Sequence, residues 1–311
     1  MISKAHATKN LSREEWLRLR REGIGGSDAA ALVGLSPWGS PLSVYLDKKG
    51  LSPQKPQSEA MRQGTDLEEY VARRFAEETG KAVRRCNYIL RHETRPWMLA
   101  NVDRLVVGED AGLECKTTSA YNAGGYEEGE IPRHYYVQCQ HYMAVTGMPK
   151  WYLAVLVLGV AFHVFEIERN DEDITALEEA EERFWHGHVE PGVPPAPAGT
   201  SSDGEALTIL YPHSDETVAN LHGLEGTADM IVALKTQKKA LEEEIERYEQ
   251  TLKSAMGTAE KGILDGYRVS WRSSTRISLD AKRLKLDRPD IYEQYGKSTE
   301  TRTFSIRREK K

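Results

Sequence analysis

Residues 112–118 read GLECKTT, and they follow ANVDRLVV at 100–107. Both stretches are β-prone, and side chains along a strand alternate with a period of two. Glu114 and Lys116 therefore share one face, while Leu113, Cys115 and Thr117 share the other. An isolated E-x-K of this kind is usually a solvated ion pair on an edge strand. Here Asp103, in NVDR, lies eleven residues upstream of Glu114. Two antiparallel strands joined by the turn GEDAG bring Asp103, Glu114 and Lys116 to one point. Close carboxylates repel one another unless a cation lies between them. Hard oxygen ligands favour Mg²⁺ or Mn²⁺, and the lack of Cys/His clusters argues against zinc. Such a site supports water attack on a phosphodiester, with the lysine polarising the water or stabilising charge on the phosphorane.

The chain around this stretch has 311 residues, 39% hydrophobic and 29% charged, which suits one large or two modest globular domains. Its longest apolar run, WYLAVLVLGVAF at 151–162, has the length of a strand pair rather than of a membrane span. The first residues lack the apolar centre of a secretory signal, so a cytoplasmic location is expected. Cys86, Cys115 and Cys139 are widely spaced and form no C-x-x-C, so neither a disulfide framework nor a zinc or iron–sulfur site is indicated. The net charge of −6 is uneven: residues 261–311 carry 14 Lys and Arg against 7 Asp and Glu. A basic tail suits an acidic partner such as nucleic acid, or is simply a solvated surface.

Helix signals come first. Ser12 followed by Glu15 is a capping-box pattern opening a helix over 11–22. GIGGSDAAALVG reads as a turn and a short helix capped by Ser27 or Asp28; PLSVYLDKKG and SEAMRQGTDLEEYVARRFAEETG give two more helices. Strands are expected near 82–91, 98–107 and 112–118. They are followed by a helix in PRHYYVQCQHYMAVTG, a hairpin in WYLAVLVLG and VAFHVFEIE, and a helix in DEDITALEEAEERFWHGH. The order predicts an α/β (α+β) layered domain, a mixed central sheet flanked by helices, over residues 1–190. A Pro/Gly/Ser-rich linker is expected at 191–206 and an accessory region at 207–311. In the latter, 229–256 carries a 3-4 apolar repeat (Ile231, Leu234, Leu241, Ile245, Tyr248, Leu252), broken by Lys238, that reads as a coiled-coil seam or an amphipathic helix. The basic tail alternates as short antiparallel strands do.

The D-x(n)-E-x-K pattern resembles the PD-(D/E)xK nuclease superfamily, and within it the YqaJ-like viral recombinase family, relatives of the bacteriophage lambda exonuclease. Five ordered segments over about residues 10–165 carry the resemblance: WLRLRREGIGGSDAA, AMRQGTDLEEYVARRF, NVDR, LECK and YYVQCQHYMAVTG. Val102 stands where the motif usually has proline. The resemblance implies a restriction-endonuclease-like core. It further implies a Mg²⁺-dependent 5′-to-3′ exonuclease on double-stranded DNA ends, with Mn²⁺ substituting, that leaves 3′ tails for a single-strand annealing protein in phage or prophage recombination. Asp103, Glu114, the Cys115 carbonyl and Glu68 are the implied metal ligands, and Lys116 is the catalytic lysine. Arg20, Ser27, Tyr135 and Gln138 are implied at the phosphate and DNA. Family relatives close into rings, so a ring trimer is a possible assembly.

The residues also leave plainer readings open. Glu69 competes with Glu68, Ser27 can be only a helix cap, and Gln138 is preferred to Gln140 because two residues so spaced on a helix cannot share a face. His134 and His141 read as surface histidines, and Trp38 either packs in the core or contacts DNA. An endonuclease, or a DNA-end binding module with a dormant site, are the competing functions.

Overall fold

The computed structural model describes residues 3–53, 56–298 and 300–309, excluding the side chains of 3, 4, 127 and 128. The chain divides into two compact units, Met1–Tyr211 and Pro212–Lys311.

In the first unit, β1 (Ser3–Ala7), which the sequence reading did not anticipate, precedes α1 (Arg13–Arg20), α2 (Gly26–Leu32), α3 (Pro41–Lys48) and α4 (Glu59–Thr79). The Ser12–Glu15 capping box closes in both directions, with Glu15 N–H donating to Ser12 Oγ and Ser12 N–H to Glu15 Oε2. Helix α2 is capped by Gly25 instead of Ser27 or Asp28: the Asp28 carboxylate reaches back to accept the Gly25 N–H at 2.9 Å, which leaves the Ser27 hydroxyl free for other work.

Two expected strands are each broken in two. β2 (Val83–Arg85) and β3 (Tyr88–Arg91) separate, as do β4 (Leu99–Ala100) and β5 (Arg104–Val106), before the continuous β6 (Ala111–Thr118). The breaks route the halves to different sheets: β1-β3-β4 forms a small one, while β2-β5-β6-β7-β8 forms the main one, with β7 at Lys150–Val157 and β8 at Ala161–Glu168. Strands β6 and β7 are parallel, and the crossover between them carries α5 (Arg133–Thr146). α5 ends at Gly147, whose φ of 72° gives the left-handed cap that a side chain would strain.

The main sheet lies between helices. Val71, Ala72 and Phe75 of α4 pack on Leu113, Tyr152 and Ala154. On the opposite face Cys139, Tyr142 and Met143 of α5 pack on Trp151, Leu153 and Val155. Gly112 is required there: a Cβ on it would meet the Trp151 ring at 2.1 Å. The sheet edge and the hairpin turn are held by Glu109, which pairs with Lys81 and with Lys150 at 3.1 Å.

His141 is not on the surface. It is fully buried, with Nδ1 2.7 Å from Glu181 Oε1 of α6 (Asp171–Phe184) and Nε2 2.9 Å from the Leu99 carbonyl, so it ties α5, α6 and β4 together. Burial alone would lower its pKa, but Glu181 and the carbonyl raise it. His134 is half-buried.

The proline-rich stretch is shorter than expected, because residues from Ser201 fold into α7 (Ser201–Leu210), which packs on α3. Ala206 enters a cluster with Leu42, Tyr45 and Leu46, and the buried Asp203 accepts the N–H groups of Ala198 and Thr200. The first unit thus runs about twenty residues beyond the expected boundary at 190.

The second unit holds α8 (Glu225–Met256), a hairpin of β9 (Lys261–Leu264) and β10 (Tyr267–Ser270), then α9 (Ala281–Asp287) and α10 (Pro289–Tyr295). Only the hairpin fulfils the expectation of a strand-rich tail. The described residues from Glu300 to Glu309 form no regular element, and two short helices occupy the stretch between.

A chain cut after Glu190 should be less stable than one cut after Tyr211 by on the order of 2–4 kcal/mol, the burial of one or two aliphatic side chains. Equilibrium urea denaturation of the two fragments measures the difference, and equal midpoints would show α7 to be dispensable.

Candidate active site

The β5–β6 hairpin pairs Arg104 with Leu113 and Leu105 with Gly112. One step further along the same register sets Asp103 across from Glu114. Asp103 sits just before β5, and its Oδ2 accepts the Cys115 N–H at 2.8 Å, so the carboxyl itself closes the open end of the ladder. Glu114 is 4% exposed, and its Oε1 is shared by Lys116 Nζ at 2.5 Å and Gln138 Nε2 at 2.6 Å. The same Gln138 amide donates to the Tyr142 oxygen at 2.7 Å, and Tyr142 donates to the Asn101 carbonyl at 3.1 Å. The parallel crossover is what places α5, and therefore Gln138, over the strand bearing Glu114. Gln140 points elsewhere, donating to the Glu168 carbonyl and accepting the Asn170 N–H.

Burial, then the charges of Glu114 and Glu68, hold the Asp103 pKa well above the usual aspartate range. Burial acts to lower the Lys116 pKa, but Glu114 and Asp103 prevail and raise it, so Lys116 is an ammonium throughout the neutral range. Its Nζ lies 5.1 Å from the centre of the Tyr135 ring, in cation–π range. Tyr135 contacts His134, and the His134 ring meets Trp38 edge-on at 4.9 Å. Trp38 is 70% exposed and lines an open cleft with Glu68, Asp103, Glu114 and Lys116, so it is not a core residue.

Glu68 borders the same cleft but turns toward Arg104, whose Nη1 donates to Glu68 Oε1 at 2.5 Å and to the Asp103 carbonyl at 2.8 Å. Glu69 faces outward and pairs with Arg85 and Arg104. Among the described residues no group of three His, Cys, Asp or Glu side chains is gathered closely enough to hold a metal. The donor chemistry nonetheless fits a hard divalent cation: Glu114 Oε2 is buried without a hydrogen-bond partner, beside a second carboxyl whose ionisation is suppressed by its neighbours.

Arg20 and Ser27 meet at the start of α2. Arg20 Nη2 donates to Ser27 Oγ at 3.0 Å, its guanidinium lies over the Trp16 ring, and Asp28 Oδ1 is 3.8 Å away. The neighbouring Gly26 packs so closely on α5 that a Cβ there would stand 3.0 Å from Gln138 Cγ. The Arg20–Ser27 pair and the carboxylate pair therefore flank one helix contact. Asp28 is anchored by Lys48, buried in α3, at 2.6 Å.

Three residues that the sequence reading gave no role enter this description: Tyr142, Arg104 and Lys48. Tyr142 was accessible in principle, being four residues after Gln138 on the same helix face. The other two depend on contacts between distant segments.

The paired carboxyls, the E-x-K lysine and the layered mixed sheet define a nuclease fold of the PD-(D/E)xK type. Residues 15–149 match the YqaJ-like viral recombinase domain. The chain is 42% identical over 306 residues to the uncharacterized protein YqaJ of Bacillus subtilis (strain 168), covering 96% of this chain and 95% of that protein, and it belongs to the YqaJ family. Among solved structures, an alkaline exonuclease (LHK-Exo) from Laribacter hongkongensis aligns with a TM-score of 0.50 and 22% identity, over 58% of this chain and 94% of that one. The same enzyme in complex with dAMP gives 0.51 and 23%, with the same shares covered. At these identities the likeness is one of fold.

The suppressed ionisation of Asp103 carries a stability consequence. Between about pH 4, where a free aspartate ionises, and the raised folded value, the folded protein holds a proton that the unfolded chain releases. Metal-free stability therefore falls as pH rises through this window. Asp103→Asn removes the repulsion, so its melting temperature in EDTA at neutral pH should exceed that of the unsubstituted chain, and added Mg²⁺ should raise the latter more than the former. A variant that melts lower in EDTA would contradict stored repulsion at this site.

Proposed function

We propose that the chain is a Mg²⁺-dependent exonuclease that digests the 5′ strand of double-stranded DNA ends, with Mn²⁺ able to substitute. The observation that carries this reading is the convergence of Asp103, Glu114 and Lys116 on one cleft, with a buried, unsatisfied Glu114 oxygen. Asp103, Glu114 and the Cys115 carbonyl would hold the metal, joined by Glu68 on exchange of its Arg104 partner. When bound, the cation supplies a lowered pKa for the attacking water and neutralises charge on the scissile phosphate.

The remaining work falls to the chain's own groups. Lys116 pairs with Glu114 at the edge of the cleft. Its role is to donate toward the phosphate oxygens where negative charge grows. Gln138 fixes the Glu114 carboxylate from above, and Tyr142 fixes Gln138. Arg20 and Ser27 offer a charged donor and a hydroxyl to a terminal 5′ phosphate, with Asp28 holding Arg20 in place. Capture of that phosphate beside the catalytic carboxylates would restrict cutting to the end nucleotide. LHK-Exo bound to dAMP, a nucleotide with one terminal phosphate, is consistent with such capture. Trp38 and Tyr135 present aromatic surface to bases at the cleft mouth.

The 3′ tails left by such digestion are substrates for a single-strand annealing protein, the partner proposed here, in a phage or prophage setting. Digestion of a linear duplex with a 5′ phosphate and a 3′ label, beside nicked and closed circles, tests the reading. Loss should begin at the 5′ end and spare closed circles. Lys116→Ala and Asp103→Asn should each reduce the rate by about 10²–10³-fold or more. Arg20→Ala should act mainly on 5′-phosphorylated ends, raising KM and narrowing the preference over 5′-hydroxyl ends. Cutting of closed circles would indicate an endonuclease instead, and metal-dependent activity undiminished in Lys116→Ala would refute the assignment of the lysine.

A further inference from the structure

Helix α8 is 32 residues long, and none of its side chains is buried within the second unit. Its apolar residues nevertheless fall on one stripe, with Leu234, Leu241, Ile245 and Tyr248 each more than half exposed at 54%, 60%, 57% and 58%. The spacing is three and four residues, the a and d positions of a heptad, with Lys238 at one a position. Within the second unit the chain end lies along the N-terminal half of α8. Arg308 pairs with Asp229 at 2.5 Å, Phe304 lies under Lys235, and the groove between is lined by Ala228 and Val232. At 100° per residue Ala228, Asp229 and Val232 are on the side away from the stripe, and Lys235 is on its flank. An apolar stripe of more than three turns left open in this way marks an interaction surface.

The charges along α8 identify its occupant. Lys235, Lys238 and Lys239 form a basic block, and Glu242, Glu243 and Glu244 an acidic block directly after it. Within one helix these satisfy each other only as i,i+4 pairs, Lys238–Glu242 at 3.5 Å and Lys239–Glu243 at 3.6 Å. A parallel pair of copies in register would set Lys238 beside Lys238 in the seam and Glu244 beside Glu249 on its flank, both repulsive. An antiparallel pair reverses this. With Lys238 of one copy beside Leu241 of the other, Ile231 meets Tyr248, Leu234 meets Ile245, and on the flank Lys235 of each copy lies beside Glu242 of the other. This arrangement also overlaps the two helices over almost their whole length.

We propose that α8 is a homodimerisation element, joining two copies of this chain as an antiparallel coiled coil whose orientation is set by the 235–239 and 242–244 charge blocks. The interface is isologous, so every contact occurs twice about a two-fold axis and the pair closes on itself. The charges mainly select orientation and partner, while the stripe supplies the attraction. This inference concerns the second unit alone and does not depend on the nuclease reading.

The test uses the full chain, with mass measured by light scattering after gel filtration and helicity by circular dichroism. Variant A, K235E/K238E/K239E, has two acidic blocks; variant B, E242K/E243K/E244K, has two basic ones; variant C carries all six changes and regains one of each. The particle mass of A and of B alone should be half that of the unsubstituted chain, with association weakened at least about tenfold. Mixing A with B should restore the full mass, as should variant C. Restoration in the mixture excludes mere loss of the helix, since each chain still carries its unfavourable internal pairs. Halving is expected whether or not the nuclease units also form a ring. The proposal is overturned if the unsubstituted chain is monomeric, which would mean that its own first unit covers the stripe, or if A and B keep the full mass, as a parallel coil would.

Discussion

Two carboxyl groups facing each other across the last step of a strand ladder are the constraint from which the rest of the first unit follows. Asp103 and Glu114 occupy opposing positions at the β5–β6 end, in surroundings that exclude most of the water able to screen them. Left alone, such a pair is strongly unfavourable. The fold answers with groups drawn from distant segments: the Cys115 amide on Asp103, the Lys116 ammonium and the Gln138 amide on Glu114, and Arg104 bridging Asp103 and Glu68. These partners engage one oxygen of each carboxylate, Asp103 Oδ2 and Glu114 Oε1, and Glu114 Oε2 is buried with no hydrogen-bond partner. Stability is withheld at the place where charge is needed, which is the usual compromise of a hydrolytic site.

The parallel pairing of β6 and β7 is as important as the carboxylates. A hairpin at that point would have returned the chain at once, whereas a parallel neighbour demands a crossover, and the crossover here is α5. One face of that helix carries Gln138 and Tyr142 to the site, while its other contacts, His141 to Glu181 and Gln140 to Asn170, fix its rotation. The small glycines at 26 and 112 let the layers approach closely enough for those contacts to form. Side chains from one hairpin and from α4 and α5 thereby meet at one cleft, with no disulfide among Cys86, Cys115 and Cys139.

Much of this was legible in advance because it is local. Period-two alternation put Glu114 and Lys116 on one face, the GEDAG turn brought Asp103 opposite, and helical spacing allowed only one of Gln138 and Gln140 to face the site. The failures share one physical cause, since each turned on a contact between segments far apart in sequence. Strands near 82–91 and 98–107 break because their halves are claimed by different sheets, which no single-segment pattern reveals. His141 looks polar, but a buried Glu181 forty residues away makes the interior acceptable to it. The stretch around Ser201 has the composition of a linker and becomes a helix because α3 offers Ala206 an apolar seat. Of the two cap candidates, Ser27 and Asp28, it is Asp28 that takes part, by accepting the Gly25 N–H in front of α2. Glu68 borders the cleft, but its partner there is Arg104, on a strand far from it in sequence.

The docking of α7 on α3 also sets a schedule. Residues 41–48 leave the ribosome early, but their apolar side stays open until residues 201–210 arrive to cover it, so the first unit is complete only when synthesis has passed Tyr211. Residues 212–311 take roughly 5–20 s to add at the usual rates of elongation. During that interval a finished nuclease unit is still attached to a ribosome while α8 is being made, and the order of translation itself places maturation of the site ahead of any association through the second unit.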